Sequence, residues 1–290
     1  MNKKKKNFLT FFILFIILLL ILFPIIYMPK SLKKKSSLEL FNNNFIMPFD
    51  PKFLNIINDA KKNKRNINLI KESYDVYSCP CLNPKFIDYF LKETKKYSSQ
   101  APNSMNNYGL VLNDTPLKSF IIHLQENYLE PLFKFLFPKY QKIKNFHAFT
   151  VKYSETEDSN LDPHTDDSDI TFNICLIQPE KGSELVFCGN IDSINHRKVS
   201  KIYNHQQGFA IIHLGHRRHT AIDIGKGKRE NLVIWNRFFI KPVLGEKKKE
   251  KIKPDLFCIS YTHDKDYFDF FVKPPKGHKK KSRNPWCCEK

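Results

Sequence analysis

Arginine is scarce in this sequence. The 290 residues include 41 lysines but only seven arginines, although the formal net charge is +19. Proteins that read nucleic-acid sequence lean on the bidentate guanidinium fork, so the basic charge argues against nucleic acid as a partner. Charge is also missing from the middle of the chain: residues 1–149 sum to +13 and residues 241–290 to +7, but residues 150–240 sum to −1. Zinc-ribbon spacing is absent. Cys79 and Cys81, and Cys287 and Cys288, stand too close for it, and Cys175, Cys188 and Cys258 are isolated. Cys175 falls in a strand pattern and reads as a small buried hydrophobe. No internal repeat is visible, which leaves out solenoids and propellers. Hydrophobic residues at 41% and aromatics at 14% are enough for a packed core and exclude a disordered tail.

One long apolar run is present. Phe8 to Met28 carries no charge. As a helix it measures about 30 Å, the thickness of a bilayer core. Lys3–Lys6 precede it, and Lys30, Lys33, Lys34 and Lys35 follow it. A cleavable signal peptide has a shorter apolar region and small residues after it; here Pro24, Tyr27, Met28 and Pro29 follow. The expectation is an uncleaved signal anchor spanning 8–28. The lysine flanks specify orientation weakly. The short N-terminal head favours a cytosolic N-terminus, with the rest of the chain in the lumen of the endoplasmic reticulum or another endomembrane.

Residues 30–73 read as a polar stem with a short helix near Phe53–Ile57. Pro84 to Tyr97 reads as a helix with Phe86, Ile87, Phe90 and Leu91 on one stripe. Leu117 to Phe137 reads as one or two helices with a break before Pro131. After Asn145 the apolar period changes from 3.6 to 2. Strands are expected at 146–153, 170–176, 185–187, 209–214, 219–224 and 231–239, punctuated by Gly182, Gly208, Gly215, Gly225 and Gly227. Helices first and strands afterwards give an α+β class with a β-sandwich or barrel. Residues 243–290 form a lysine-rich extension with a short aromatic patch.

The chemistry concentrates around His164-Thr165-Asp166. In extended backbone, residues i and i+2 point the same way, so one imidazole and one carboxylate can grip one ion. Asp167 and Asp169 flank the motif, but parity with His164 favours Asp166. His219 supplies a third donor, and two histidines with one carboxylate leave open positions on a metal such as Fe(II). His213 reads as a core or supporting histidine and His216 as a loop residue. Arg217 and Arg218 read as a solvated pair at the rim, and Trp235 as core. Arg229 follows His219 by ten residues, with Gly225-Lys226-Gly227 between them. A hairpin there would set His219 and Arg229 on one inner face, on the order of 10 Å apart at strand rise. That matches a five-carbon dicarboxylate held on the metal at one end and by the guanidinium at the other. Asn173 and Thr171 alternate away from Phe172 and could line that pocket.

The segments Pro102–Gly109, Pro131–Phe133 with Leu136–Pro138, His147–Tyr153, His164–Asp166, Thr171–Leu176, His213–His219 and Arg229–Trp235 occur in an order and spacing that resembles a known family. It is that of Fe(II)/2-oxoglutarate-dependent dioxygenases of the prolyl/lysyl hydroxylase type, nearest to the family called 2-oxoglutarate and iron-dependent oxygenase domain-containing protein 2. The resemblance covers residues 74–240. It implies a double-stranded β-helix (jelly-roll) core flanked by helices, with Fe(II) on His164, Asp166 and His219. It implies 2-oxoglutarate on the iron with its distal carboxylate on Arg229, Tyr153 near that co-substrate, and dependence on L-ascorbate. The implied activity consumes O2 and 2-oxoglutarate, hydroxylates a prolyl or lysyl side chain of a protein or peptide, and releases succinate and CO2. A non-catalytic membrane-tethered binding module on the same fold is the alternative. One departure stands out. The family commonly has Gly-Gly before Glu-Leu-x-Phe, and this chain has Gly182-Ser183, which is tolerable if position 183 does not need a positive φ. The chain then divides into an anchor (1–29), a stem (30–73), a dioxygenase domain (74–242) and an extension (243–290).

Overall fold

The computed structural model describes residues 47–97, 102–103, 106–190 and 198–240. The expected span 8–28, most of the stem and the extension 243–290 lie outside the described residues. Among the described residues, no helix is long and apolar enough to cross a membrane.

Two helices begin with the same local chemistry. α1 (Pro51–Lys61) is capped by Asp50, whose carboxylate accepts from Lys52 N at 2.7 Å. α2 (Pro84–Thr94) is capped by Asn83, whose side chain accepts from Lys85 N at 3.0 Å. In both, proline at the first helical position needs no hydrogen bond there and fixes φ for the turn. α1 buries Phe53, Ile56, Ile57 and Ala60, which lie at helical spacing. The short helix expected near Phe53–Ile57 is thus present but longer, and it packs into the core instead of belonging to a separate stem, because Asp50-Pro51 starts it and its apolar stripe needs cover.

α3 (Lys118–Leu124) runs through a π-helical turn (Gln125–Leu129) into α4 (Glu130–Leu136). The expected break before Pro131 does not occur. Glu130 N–H reaches back five residues to the Gln125 carbonyl. The widened turn lets the helix run on through Pro131, which has no N–H to donate to the Asn127 carbonyl.

The strands are β1 (Ile70–Ser73), β2 (Val76–Pro80), β3 (Pro102–Asn103), β4 (Asn106–Leu110), β5 (Tyr140–Ser154), β6 (Leu161–His164), β7 (Ile170–Ile177), β8 (Lys181–Gly182), β9 (Leu185–Asn190), β10 (Lys201–Tyr203), β11 (Phe209–Leu214), β12 (Arg217–Ala221), β13 (Ile224–Lys226) and β14 (Lys228–Ile240). A major sheet has the order β1-β2-β11-β7-β14-β5, and a minor sheet the order β10-β9-β12-β6. All pairings are antiparallel. The major sheet is covered on both faces. Ile170, Phe172, Ile174, Leu176, Leu232 and Ile234 pack towards the helices in one core. Val151, Tyr153, Ile211 and Val233 meet Leu185, Phe187 and Ala221 of the minor sheet in a second core. The result is a jelly-roll-like sandwich of two opposed sheets with helices against the larger one, as the change of period implied. Among the described residues, Cys79, Cys81 and Cys175 are free, buried thiols, and Cys188 is buried as well.

Candidate metal centre

His164 ends β6 and His219 sits in the middle of β12, directly opposite it in the ladder. Their rings lie 4.3 Å apart, centroid to centroid. Asp166 follows in the loop after β6, where its N–H donates to the Gly215 carbonyl at 2.9 Å. This loop packs so closely on Gly215 that a β-carbon there would stand 1.9 Å from the Ser168 carbonyl oxygen. Asp166 Oδ1 lies 3.5 Å from His164 Nε2 and 3.6 Å from His219 Nε2. The three donor atoms lie within 4.8 Å of one another.

The tautomers follow from the backbone. His164 Nδ1 lies 2.7 Å from the Asp162 carbonyl, and His219 Nδ1 lies 3.0 Å from the Arg217 carbonyl. A carbonyl only accepts, so each Nδ1 carries the proton and each Nε2 presents a lone pair. Burial is the main cause pushing His219 down to about 3, against the charge of Asp166. Burial alone would raise the Asp166 carboxyl, but the imidazoles of His219, His164 and His213 hold it below the usual carboxylate range. Thr171 Oγ1 donates to Asp166 Oδ2 at 2.5 Å and fixes the rotation of the carboxylate. Two bare imidazole nitrogens and a carboxylate oxygen, facing one another with no proton between them, fit a divalent cation with open positions.

Arg229 lies on the opposite sheet, on β14, and lines the same cleft. The expected hairpin joining His219 and Arg229 is not formed: β12 pairs with β9 and β6, and β14 pairs with β5 and β7. The glycine segment between them carries the chain from one sheet to the other. The two side chains face each other across the sandwich instead of along one sheet.

The surroundings of Arg229 are polar but hold no counter-ion. Nη1 donates to the Ser183 carbonyl at 2.7 Å and lies 3.0 Å from His205 Nε2. Tyr153, its ladder neighbour, stacks its ring 4.2 Å from the guanidinium carbon. Nε is buried without a partner. Among the described residues, no carboxylate stands within ion-pair distance. Burial lowers the Arg229 pKa and raises that of Tyr153. A buried guanidinium without an anion is costly, and a carboxylate entering the cleft would relieve it. Asn173 also lines the cleft and meets the Asn231 amide at 2.6 Å.

Other candidates separate cleanly. Asp167 pairs with Arg237, and Asp169 accepts from Phe238 N at 2.8 Å, so neither joins the three donors. His213 is buried beside Asp166, with Nδ1 on the Leu214 carbonyl and Nε2 3.7 Å from Asp166 Oδ2. His216 sits in the turn between β11 and β12. Arg217 and Arg218 are buried, not a solvated pair. Arg217 ties Ser73 and Ser200 together and, through its carbonyl, sets the His219 ring. Trp235 lines the cleft, with its indole Nε1 unpartnered. Ser183 does take a positive φ, +64°, contrary to the condition under which serine is harmless there. His205 was not a sequence candidate; it lies in irregular chain after β10, where no period marks it.

Comparison with known proteins gives a consistent picture. Residues 31–142 match the OGFOD2-like domain. The 2-oxoglutarate and iron-dependent oxygenase domain-containing protein ICU11 of Arabidopsis thaliana is 29% identical over 205 residues, 65% of this chain and 52% of that protein. The 2-oxoglutarate and iron-dependent oxygenase domain-containing protein 2 of Xenopus tropicalis is 32% identical over 171 residues, 56% of this chain and 49% of that protein. A prolyl-4-hydroxylase of Pseudomonas putida superposes with a TM-score of 0.44 at 13% identity, covering 68% of this chain and 99% of that one. The chain spans about half the length of the curated relatives it matches. The resemblance read from the motifs is borne out by relatives named as 2-oxoglutarate and iron-dependent oxygenases.

Proposed function

We propose that this chain is an Fe(II)- and 2-oxoglutarate-dependent dioxygenase that hydroxylates a protein side chain, prolyl or lysyl. One observation carries the reading: a cleft where two histidines of one sheet and Asp166 of the adjoining loop present three proton-free donors faces a buried arginine on the other sheet, with no carboxylate among the described residues within ion-pair distance of it. Bound Fe(II) and 2-oxoglutarate supply the oxidation, with decarboxylation of the co-substrate to succinate and CO2 coupled to hydroxylation by O2. The protein's share is placement. His164, Asp166 and His219 would hold the metal through two imidazole nitrogens and one carboxylate oxygen. Arg229 takes the far carboxylate, with Tyr153 stacked on the guanidinium and Asn173 on the pocket wall. Phe149, Val151, Leu185, Ala221 and Val233 line the cleft with apolar surface and keep bulk water from it. L-ascorbate would keep the iron reduced. The prolyl or lysyl assignment rests on the resemblance alone.

Succinate formation from the purified chain should need both Fe(II) and 2-oxoglutarate and should vanish in His164→Ala. Absence of turnover with peptides, together with absence of uncoupled decarboxylation, would establish the binding module instead. The uncharged run Phe8–Met28 supports a membrane anchor with the catalytic domain in the lumen of an endomembrane. Membrane-associated protein that resists carbonate extraction and is shielded from added protease is the expected outcome; release by carbonate would refute the anchor.

A further inference from the structure

His205 is only 5% exposed, and neither its burial nor its position is explained by metal binding. Its Nε2 lies 3.0 Å from Arg229 Nη1 and its Nδ1 lies 3.3 Å from the side-chain amide of Asn231. The Tyr203 ring meets it edge-on at 5.7 Å. An arginine can only donate, so Nε2 must accept, and the neutral ring then carries its proton on Nδ1. With the Asn231 and Asn173 amides turned together, Asn231 Oδ1 accepts from both His205 Nδ1 and the Asn173 amide, and gains the partners it otherwise lacks. Burial, and after it the charge of Arg229, holds His205 well below the ordinary histidine range, which keeps it an acceptor near neutral pH.

The consequence falls on Arg229. Both hydrogens of Nη1 are engaged, one by the Ser183 carbonyl and one by His205. Tyr153 also hydrogen-bonds the guanidinium, whereas Nε has no partner. We propose that His205 is a positioning residue: as a neutral acceptor it fixes the rotation of the Arg229 guanidinium, so that the Nε–Nη2 edge meets the far carboxylate of the 2-oxo diacid. This rests on the dioxygenase reading above. His205 touches neither metal nor co-substrate; it acts through Arg229 and sets both affinity and the preferred length of the diacid.

The test uses the full chain loaded with Mn(II) and titrated calorimetrically with 2-oxoglutarate and, separately, with the one-carbon-longer 2-oxoadipate. In His205→Leu, 2-oxoglutarate binding should weaken on the order of tenfold, the scale of a lost hydrogen bond to a charged group. Its preference over 2-oxoadipate should shrink, while Mn(II) affinity read by electron paramagnetic resonance stays at the wild-type value. His205→Gln, whose amide oxygen can accept from Nη1, should recover most of the loss. Wild-type affinity and length preference in His205→Leu, or no recovery in His205→Gln, would overturn the proposal. Arg229→Leu separates the two levels. If it loses binding while His205→Leu does not, only the role of His205 falls; if Arg229→Leu also binds normally, the co-substrate reading falls. Should His205→Leu fail to fold, the imidazole 15N shifts of the wild-type protein decide: an unprotonated Nε2 supports the proposal and a protonated one refutes it.

Discussion

Ser183 shows how a single backbone angle serves the site. Its φ of +64° follows a Gly182 at +77°, and its side chain is fully buried with an unpartnered hydroxyl. Two consecutive left-handed residues place the Ser183 carbonyl where Arg229 Nη1 can donate to it. A non-glycine residue in this region costs about 1–2 kcal/mol, and the orphaned hydroxyl adds to it. Ser183→Gly removes both, offset in part by the freer unfolded chain. The net expectation is a gain of about 1 kcal/mol in urea unfolding; a variant less stable than wild type would mean that the hydroxyl has an unseen stabilising partner. At this scale the site was legible where chemistry is confined to few residue types. His-x-Asp parity singled out His164 and Asp166, and the scarcity of arginine made Arg229 conspicuous. His205 was not legible, because irregular chain carries no period and its role exists only through a contact 24 residues away.

At the scale of elements, the π-helical turn reaches further than its five residues. Gln125, within it, donates through Nε2 to Asn236 Oδ1 at 2.6 Å. Asn236 in turn donates to the Ile170 carbonyl, and its own carbonyl accepts from Asp169 N. Asp169 and Gly215 then share a backbone bond in the loop that carries Asp166. Removing the amide in Gln125→Leu leaves a buried acceptor unpaired, at about 1–3 kcal/mol. Chemical unfolding should show that loss, and a Mn(II) titration should show weaker binding as the Asp166 loop loosens. Unchanged metal affinity would sever this chain of contacts from the site. The helices and the long strands were readable from periodicity. The His219–Arg229 hairpin was misread because residues close in sequence invite a local pairing, whereas β12 and β14 enter opposite sheets. The short helix near Phe53–Ile57 was legible, but lysine and asparagine content hid its Asp50-Pro51 start, its run to Lys61 and its burial in the core.

On the whole-molecule scale, the major sheet is a wall between two cores, and cysteines sit on both sides of it. Cys79 belongs to the helix-side core, while Cys175 alternates inwards between Ile174 and Leu176. Burial pushes each thiol up to about 12. At pH 8 only about one in ten thousand of such thiols is ionised, so alkylation of the folded protein should be very slow. Both should become reactive in one urea transition, because neither core can open without the sheet they share. Labelling of Cys175 at lower urea than Cys79 would show instead that the minor sheet detaches first.

The pairing of His164 with His219 has a further consequence. β6 is the edge strand of the minor sheet, held to β12 by few ladder contacts and an irregular register. A cation bound by both imidazoles is therefore a cross-strand clamp on an edge strand of the sandwich. Ligation and folding are then linked: free metal at a hundred times its dissociation constant adds about 2.7 kcal/mol to the native state. Iron supply would set not only how fast this protein works but how long its edge strand stays closed, and with it how long each molecule survives proteolysis.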